Sequence, residues 1–200
     1  MTDSWAILAS GPSLTHEDVE VVRQSGLKTI AVNSTWKLAR FCHVIYAGDR
    51  KWWQEYRHEV DIDAKRVCFS IAACRMYKLK HHKWKIKKGY NSGMLAIDYA
   101  VQRGAKKIIL LGYDCSVKHG IHHHGPHKDT NNPTAKRCDI WQGQFQYVQE
   151  VHSMIDIVNC SRYTELMAFR RGILKDEISK SLSEPSVYAG GAAQDIHAGP

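Results

Sequence analysis

Trp5-Ala6-Ile7-Leu8-Ala9-Ser10-Gly11-Pro12-Ser13 opens the chain with an unbroken apolar run that stops on a tight turn. A short run without polar alternation reads as a strand buried on both faces, and the serine, glycine and proline read as its end. Thr15 and Asp18 then have the spacing of a capping box. Val19, Val22 and Leu27 are spaced for a short helix that faces a sheet, with Gly26 as its terminator. Strand, glycine turn and helix in that order are the first unit of an α/β fold.

The same alternation continues along the chain. Residues 27–32 form a second strand closed by Asn33, and a short helix follows over 34–40. Residues 43–47 form a third strand that ends at Gly48-Asp49, after which Trp52, Trp53 and Tyr56 mark a helix with an aromatic face. Residues 66–69 read as a fourth strand. From Tyr77 to Lys88, Tyr77, Leu79, Trp84 and Ile86 alternate with Lys78, Lys80, Lys83, Lys85, Lys87 and Lys88, the pattern of an exposed basic hairpin or edge strand. Asn91 or Ser92 caps a helix over 93–103 that Gly104 ends, and the clearest strand, 106–111, stops at Gly112-Tyr113-Asp114. A histidine-rich loop occupies 115–138, a helix runs over 139–152, a strand over 154–158 and a helical segment over 162–178.

Together these elements predict a single Rossmann-like α/β domain over residues 1–181. Its sheet is mostly parallel, with helices on both faces, a basic β-hairpin inserted at about 77–88 and a loose Gly/Ala-rich tail over 182–200. The 200 residues suit one hydrophobic core rather than two. No run approaches the roughly 20 apolar residues of a membrane helix. Met1-Thr2-Asp3-Ser4-Trp5 lacks the basic and apolar regions of a signal peptide, so the expected setting is cytoplasmic. None of the six cysteines forms a CxxC pair; they read as reduced thiols, and no metal site is assigned. A formal charge of +8 favours anionic partners, whether nucleotide, nucleic acid or lipid surface. A monomer and a homo-oligomer both remain open.

In open parallel sheets, ligands bind beyond the carboxyl ends of the strands. Four polar clusters fall at such ends: Ser10-Gly11-Pro12-Ser13, Asn33-Ser34, Gly48-Asp49 and Gly112-Tyr113-Asp114. Glycine permits close approach of a ligand to the backbone, and a helix N-terminus offers free N–H groups to phosphate. Asn33 suits a base or ribose contact, and equally a helix cap. Asp49 suits a ribose hydroxyl or a metal, and equally the cap of the Trp52 helix. Asn91-Ser92-Gly93 forms a second glycine-containing helix start beside Lys87 and Lys88. Five histidines, His119, His122, His123, His124 and His127, crowd the loop that follows Asp114, a supply of general bases, cations or metal ligands.

The segments ILASGPSL at 7–14, AVNS at 31–34, YAGD at 46–49 and YNSGMLAIDYAVQRGAKKIILLGYDC at 90–115 resemble the bacterial CMP-sialic-acid-dependent sialyltransferases. They also resemble the related proteins that include archaeal 6-hydroxymethylpterin diphosphokinases, a group with small phage members. DIVNCSRYTELMAF at 156–169 is similar to the last core strand and turn of that group. The resemblance implies a nucleotide-sugar donor held by the Gly11 turn (Ser10, Gly11, Pro12 and Ser13), by Asn33, and by Asn91, Ser92 and Gly93; Ser34, Gly48 and Asp49 join the nucleotide-binding set from their place at strand ends. It further implies a catalytic His127; Asp114, at its strand end, and His124, in the histidine loop, complete the set of catalytic candidates. His127, in the segment Gly125-Pro126-His127-Lys128, corresponds to the histidine that takes the acceptor proton. The family carries a tyrosine shortly after its Gly-x-Asp; Cys115-Ser116 stand there in this chain, leaving His122–His124 or Lys118 for the leaving group.

Three functions follow for testing: a nucleotide-sugar-dependent glycosyltransferase acting by direct displacement; a diphosphokinase with Mg²⁺ between Asp49 and Asp114 and ATP; and a non-catalytic binder of nucleotide, or of nucleic acid through the lysine segment.

Overall fold

A computed structural model describes residues 3–84, 90–125 and 132–183. The opening unit forms as its residues dictate: strand β1 (Ser4–Leu8) is buried along its whole length and leads through the Gly-Pro-Ser turn into helix α1 (His16–Ser25). Thr15 and Asp18 make a reciprocal capping box, and Gly26 closes the helix in the left-handed region at φ 67°.

β2 (Lys28–Val32) ends in a 3₁₀ turn over Asn33–Lys37 where the sequence predicts a helix. β3 (Val44–Tyr46), α2 (Arg50–Tyr56), β4 (Lys65–Cys68), α3 (Ile71–Tyr77) and β5 (Lys80–His81) follow. After α4 (Ser92–Gln102) come β6 (Lys107–Leu111), α5 (Ala135–Val151), β7 (Asp156–Asn159), β8 (Arg170–Arg171) and α6 (Leu174–Ser183).

The eight strands form one sheet in the order β5-β4-β3-β2-β1-β6-β7-β8, and every adjacent pair is parallel. The chain winds outward from β1 to β5, then returns through α4 to β6 on the other side of β1. β1 and β6 therefore flank the topological switch point, where parallel sheets open a crevice.

Strand alternation divides the core into two layers. Ala6, Leu8, Ala31 and Ile45 meet α1, α2, α3 and α6, whereas Trp5, Ile7, Ile30 and Tyr46 meet α4 and α5. α4 is sandwiched most deeply: Met94, Leu95, Ala96 and Ile97 are fully buried. Its apolar sequence allows little else, because a helix apolar almost all round must be covered on nearly all sides.

The described part of the segment predicted as a hairpin forms none. Tyr77 ends α3, and Lys80 and His81 pair in parallel with Val67 and Cys68, making an edge strand with no antiparallel partner among the described residues. The lysines blunt that edge, as the alternation implied. Residues 85–89 lie outside the described residues, as does the tail beyond Ser183; Leu182 and Ser183 belong to α6. The helix expected over 162–178 is replaced by a loop, the edge strand β8 and then α6.

A buried polar chain joins the β3 end to both helices of the second layer. Tyr46 O–H donates to His82 Nδ1 (2.5 Å), His82 Nε2 donates to Asp98 Oδ2 (2.9 Å), and His152 Nε2 donates to Asp98 Oδ1 (3.0 Å). Burial opposes ionisation of Asp98, yet the bonds from His152 and His82 outweigh it and hold the carboxyl at about 2, below its ordinary 3.8. A depressed folded-state value stabilises the fold above pH ~4 by roughly 2 kcal/mol, an amount lost as pH falls toward 2. Asp98→Asn is expected to lower stability by about 3 kcal/mol at pH 7, because both imidazoles keep their burial and lose their charged acceptor. Urea unfolding at pH 7 and pH 3 checks this: the gap between variant and wild type should narrow at the lower pH.

Candidate functional site

Two glycines set the floor of the crevice at the switch point. Ala9 N–H donates to Leu111 O (2.8 Å) and Gly11 N–H to Gly112 O (3.0 Å), so the exits of β1 and β6 remain zipped past the sheet. A Cβ on Gly112, which sits at φ 70°, would lie 2.4 Å from Ala9 O. A Cβ on Gly11 would lie 2.4 Å from Gly112 O and 2.6 Å from Asp114 Cγ. Glycine is obligatory at both places because backbone packs against backbone.

Asp114 sits directly behind this contact. Its Oδ2 accepts from Ser13 N–H (2.8 Å), and its Oδ1 accepts a short bond from the Ser13 hydroxyl. Burial raises its carboxyl above the ordinary value while the Ser13 and Tyr163 bonds oppose that rise. Both oxygens are thus used to fix the Gly-Pro-Ser turn. Gly48 and Ser92 form a second tie, Gly48 N–H donating to Ser92 Oγ (3.0 Å), and a Cβ on Gly48 would strike Leu95 Cδ1 at 2.8 Å.

These ties leave a cleft of about 490 Å³ beyond the carboxyl ends of the strands. Ser10, Gly11, Asn33, Asp49, Asn91, Ser92, Gly93 and Asp114 line it. Eight residues predicted from separate segments of sequence therefore share one cavity. The volume falls within the range of small-molecule sites.

Asn33 closes β2 with a left-handed backbone (φ 51°), and its side-chain carbonyl oxygen is buried with no hydrogen-bond partner among the described residues. A buried acceptor left without a donor is costly unless something supplies one. Asp49 is the N-cap of α2 by position, yet its side chain makes no cap hydrogen bond. Although open to the cleft, the carboxyl is raised from its ordinary value by the desolvating walls, with the charge of Arg137 opposing. Asn91 caps α4, its Oδ1 accepting from Met94 N–H (2.9 Å), so the α4 N-terminus with Ser92 and Gly93 points into the cavity. Early N–H groups of a helix have no carbonyl partner within it.

The histidine loop folds back on the same turn. His123 N–H donates to Ser10 O (2.9 Å), and the Ser10 hydroxyl bonds His122 Nδ1 (2.8 Å). His122 lines the cleft, and His124 stacks on it with centroids 5.0 Å apart and planes 20° apart. Burial lowers His123 to about 4 and lowers His124 as well, which keeps both rings neutral at pH 7.

Not every predicted residue reaches the cavity. Pro12 and Ser13 belong to the turn that Asp114 ties down, Ser34 accepts from Trp52 Nε1 (3.2 Å), Gly48 serves the β3–α4 tie, and His124 backs His122. None of these five lines the cleft. His127 lies outside the described residues. Among the described residues no three His, Cys, Asp or Glu side chains group as a metal site.

The sequence reading missed the roof. Asn132, Pro133, Arg137, Cys138, Trp141 and Phe145 cover the cleft from the start of α5. Thr134 caps that helix by accepting from Arg137 N–H (3.2 Å), one turn earlier than the sequence start at Asp139. Reading Thr134 as a cap would have placed Arg137 on the helix rather than in the loop.

The chain shares its fold with a solved structure, the MAf glycosyltransferase from Magnetospirillum magneticum AMB-1. The two superpose with a TM-score of 0.56 at 13% identity, over 91% of this chain and 36% of that one. The chain thus spans about a third of its structural relative. No protein-family model and no curated protein sequence matches it. No helix among the described residues is long and apolar enough to cross a membrane.

Proposed function

We propose that this chain is a nucleotide-sugar-dependent glycosyltransferase of sialyltransferase-like type, with the switch-point cleft as donor site. The observation that carries this reading is the meeting, in one cavity, of an acceptor-only orphan at Asn33, an uncapped carboxyl at Asp49 and the open N-terminus of α4. Hydroxyl or amino donors of a nucleoside satisfy the first two, and phosphate suits the third. The shared fold with a glycosyltransferase agrees with this reading.

In the reaction, an acceptor hydroxyl attacks the anomeric carbon, the bond from that carbon to the phosphate oxygen breaks, and a histidine takes the acceptor proton. His127 is the base implied by the family resemblance. His122 is the imidazole placed in the cavity; the tautomer that donates from Nδ1 to Ser10 keeps a lone pair on Nε2. Phosphotransfer with Mg²⁺ held by Asp49 and Asp114 fits less well, since both Asp114 oxygens already accept from Ser13.

Donor binding is tested first by Asn33→Ala. It should weaken binding of the cognate nucleotide roughly tenfold or more, the cost of one buried hydrogen bond, with the melting temperature of the free protein little changed, because relief of the orphan acceptor offsets the strain of a left-handed alanine at φ 51°. Calorimetric titration reads the affinity. Unchanged affinity removes Asn33 from the site.

A further inference from the structure

Arg137 is the cleft residue that neither the sequence motifs nor the ties of the floor explain. It is the third residue of α5, it is exposed, and it lines the roof. Among the described residues its guanidinium makes no hydrogen bond or ion pair, although its charge reaches Asp49 strongly enough to oppose the rise of that carboxyl. The other cleft cation, Lys51, leans on Glu55 at 3.8 Å. A guanidinium with no partner among the described residues therefore lines the same cavity as the α4 N-terminus. That arrangement suits an anion that offers two acceptor oxygens to the guanidinium and a further one to the helix N–H groups, as phosphate does.

Resting on the glycosyltransferase reading, we propose that Arg137 is the phosphate-binding residue of this cleft and stabilises the leaving nucleotide. Arg137 approaches the phosphate from the first turn of α5, and the N–H groups of Ser92 and Gly93 approach from the first turn of α4. As the bond between the sugar carbon and the phosphate oxygen breaks, its electron pair stays on that oxygen. The proton of the attacking hydroxyl goes to the imidazole base, and the growing phosphate charge is held by the guanidinium, which needs no proton transfer. Asp49 and Asn33 lie toward the ribose and base. The nucleotide is thereby oriented with its phosphate under α5.

The test compares each nucleoside 5′-monophosphate with its parent nucleoside by calorimetry, on wild type, Arg137→Gln and Arg137→Lys. Arg137→Gln should weaken monophosphate binding about 10- to 100-fold and leave nucleoside binding within about twofold, since a charge-assisted bond is lost only for the former. Arg137→Lys should fall between, keeping the charge without the fork. In parallel, phenylglyoxal labelling of Arg137 is mapped by mass spectrometry with and without inorganic pyrophosphate, which should protect it.

The outcomes separate the two claims. Monophosphate binding as tight in Arg137→Gln as in wild type, with Arg137 labelled equally with and without pyrophosphate, keeps the donor site and overturns the role of Arg137. Pyrophosphate protection without binding of any nucleotide keeps the anion site and overturns the glycosyltransferase reading beneath it. Absence of both binding and protection overturns both.

Discussion

Gly112→Ala is expected to destabilise the protein by about 4 kcal/mol, a large share of the 5–15 kcal/mol available to a domain of this size. Two effects add. A left-handed alanine at φ 70° costs about 1 kcal/mol in backbone strain. The larger part comes from the new methyl group, which would stand 2.4 Å from Ala9 O and force β1 and β6 apart at their exits. Gly26→Ala is the matched control: the same left-handed backbone, φ 67°, but nothing within 4 Å of the added carbon. It should lose only about 1 kcal/mol, the strain alone. Urea unfolding of the two variants therefore separates strain from contact. Equal losses would mean that the strand exits are not held in the described contact.

The second large effect concerns catalysis. Removing the general base is expected to lower transfer about 10²- to 10⁴-fold while nucleotide affinity stays near wild type, because the base acts on the acceptor and not on the donor. Two substitutions identify it. If the family resemblance supplies the base, His127→Ala takes the full loss and His122→Ala takes a smaller one. If the cleft imidazole is the base, His122→Ala takes the full loss. His124→Ala should be mild in either case, since that ring stacks on His122 and lies off the cleft. Steady-state release of nucleoside phosphate, with affinities measured separately, checks all three variants. Turnover unaffected by both His122→Ala and His127→Ala would remove imidazole catalysis from the mechanism.

Much of this architecture is legible in the residues. Buried parallel strands announce themselves as unbroken apolar runs, so residues 5–8 and 107–111 needed no tertiary information. The Thr15–Asp18 box and Gly26 marked both ends of α1 because caps are local chemistry. Ser10, Gly11, Asn33, Asp49 and Asp114 were legible for a topological reason: in a parallel sheet every strand exit faces the same side. Asn91, Ser92 and Gly93 were legible as a capped, glycine-containing helix start.

What the sequence hid was non-local. Lys80 and His81 alternate with apolar neighbours like one arm of a hairpin, and only the position of β4 shows them to be a parallel edge strand. β8 is two arginines whose strand character comes from pairing with β7 rather than from propensity. The 3₁₀ turn after β2 replaces a helix because the left-handed Asn33 turns the chain sharply. The roof was hidden because α5 begins in polar residues, where amphipathic periodicity gives no signal, and its one local mark was Thr134. Ser13 and Asp114 illustrate the converse difficulty. Both stand at strand exits, as a ligand-binding residue should, yet they bind each other.

On the proposed function, the cleft between the β1 and β6 exits holds a nucleotide without a metal. The most direct measurement is the melting temperature of the purified protein with CMP, UMP, GMP, ATP, their nucleotide sugars and pterins, each with and without Mg²⁺. Ligand at 100 times its dissociation constant stabilises the native state by about 2.7 kcal/mol, a shift of several degrees. Such a shift is expected with one nucleotide or its sugar, of equal size in EDTA, and a smaller shift in Asn33→Ala. A shift confined to Mg-ATP, or equal shifts in wild type and Asn33→Ala, would contradict the proposal.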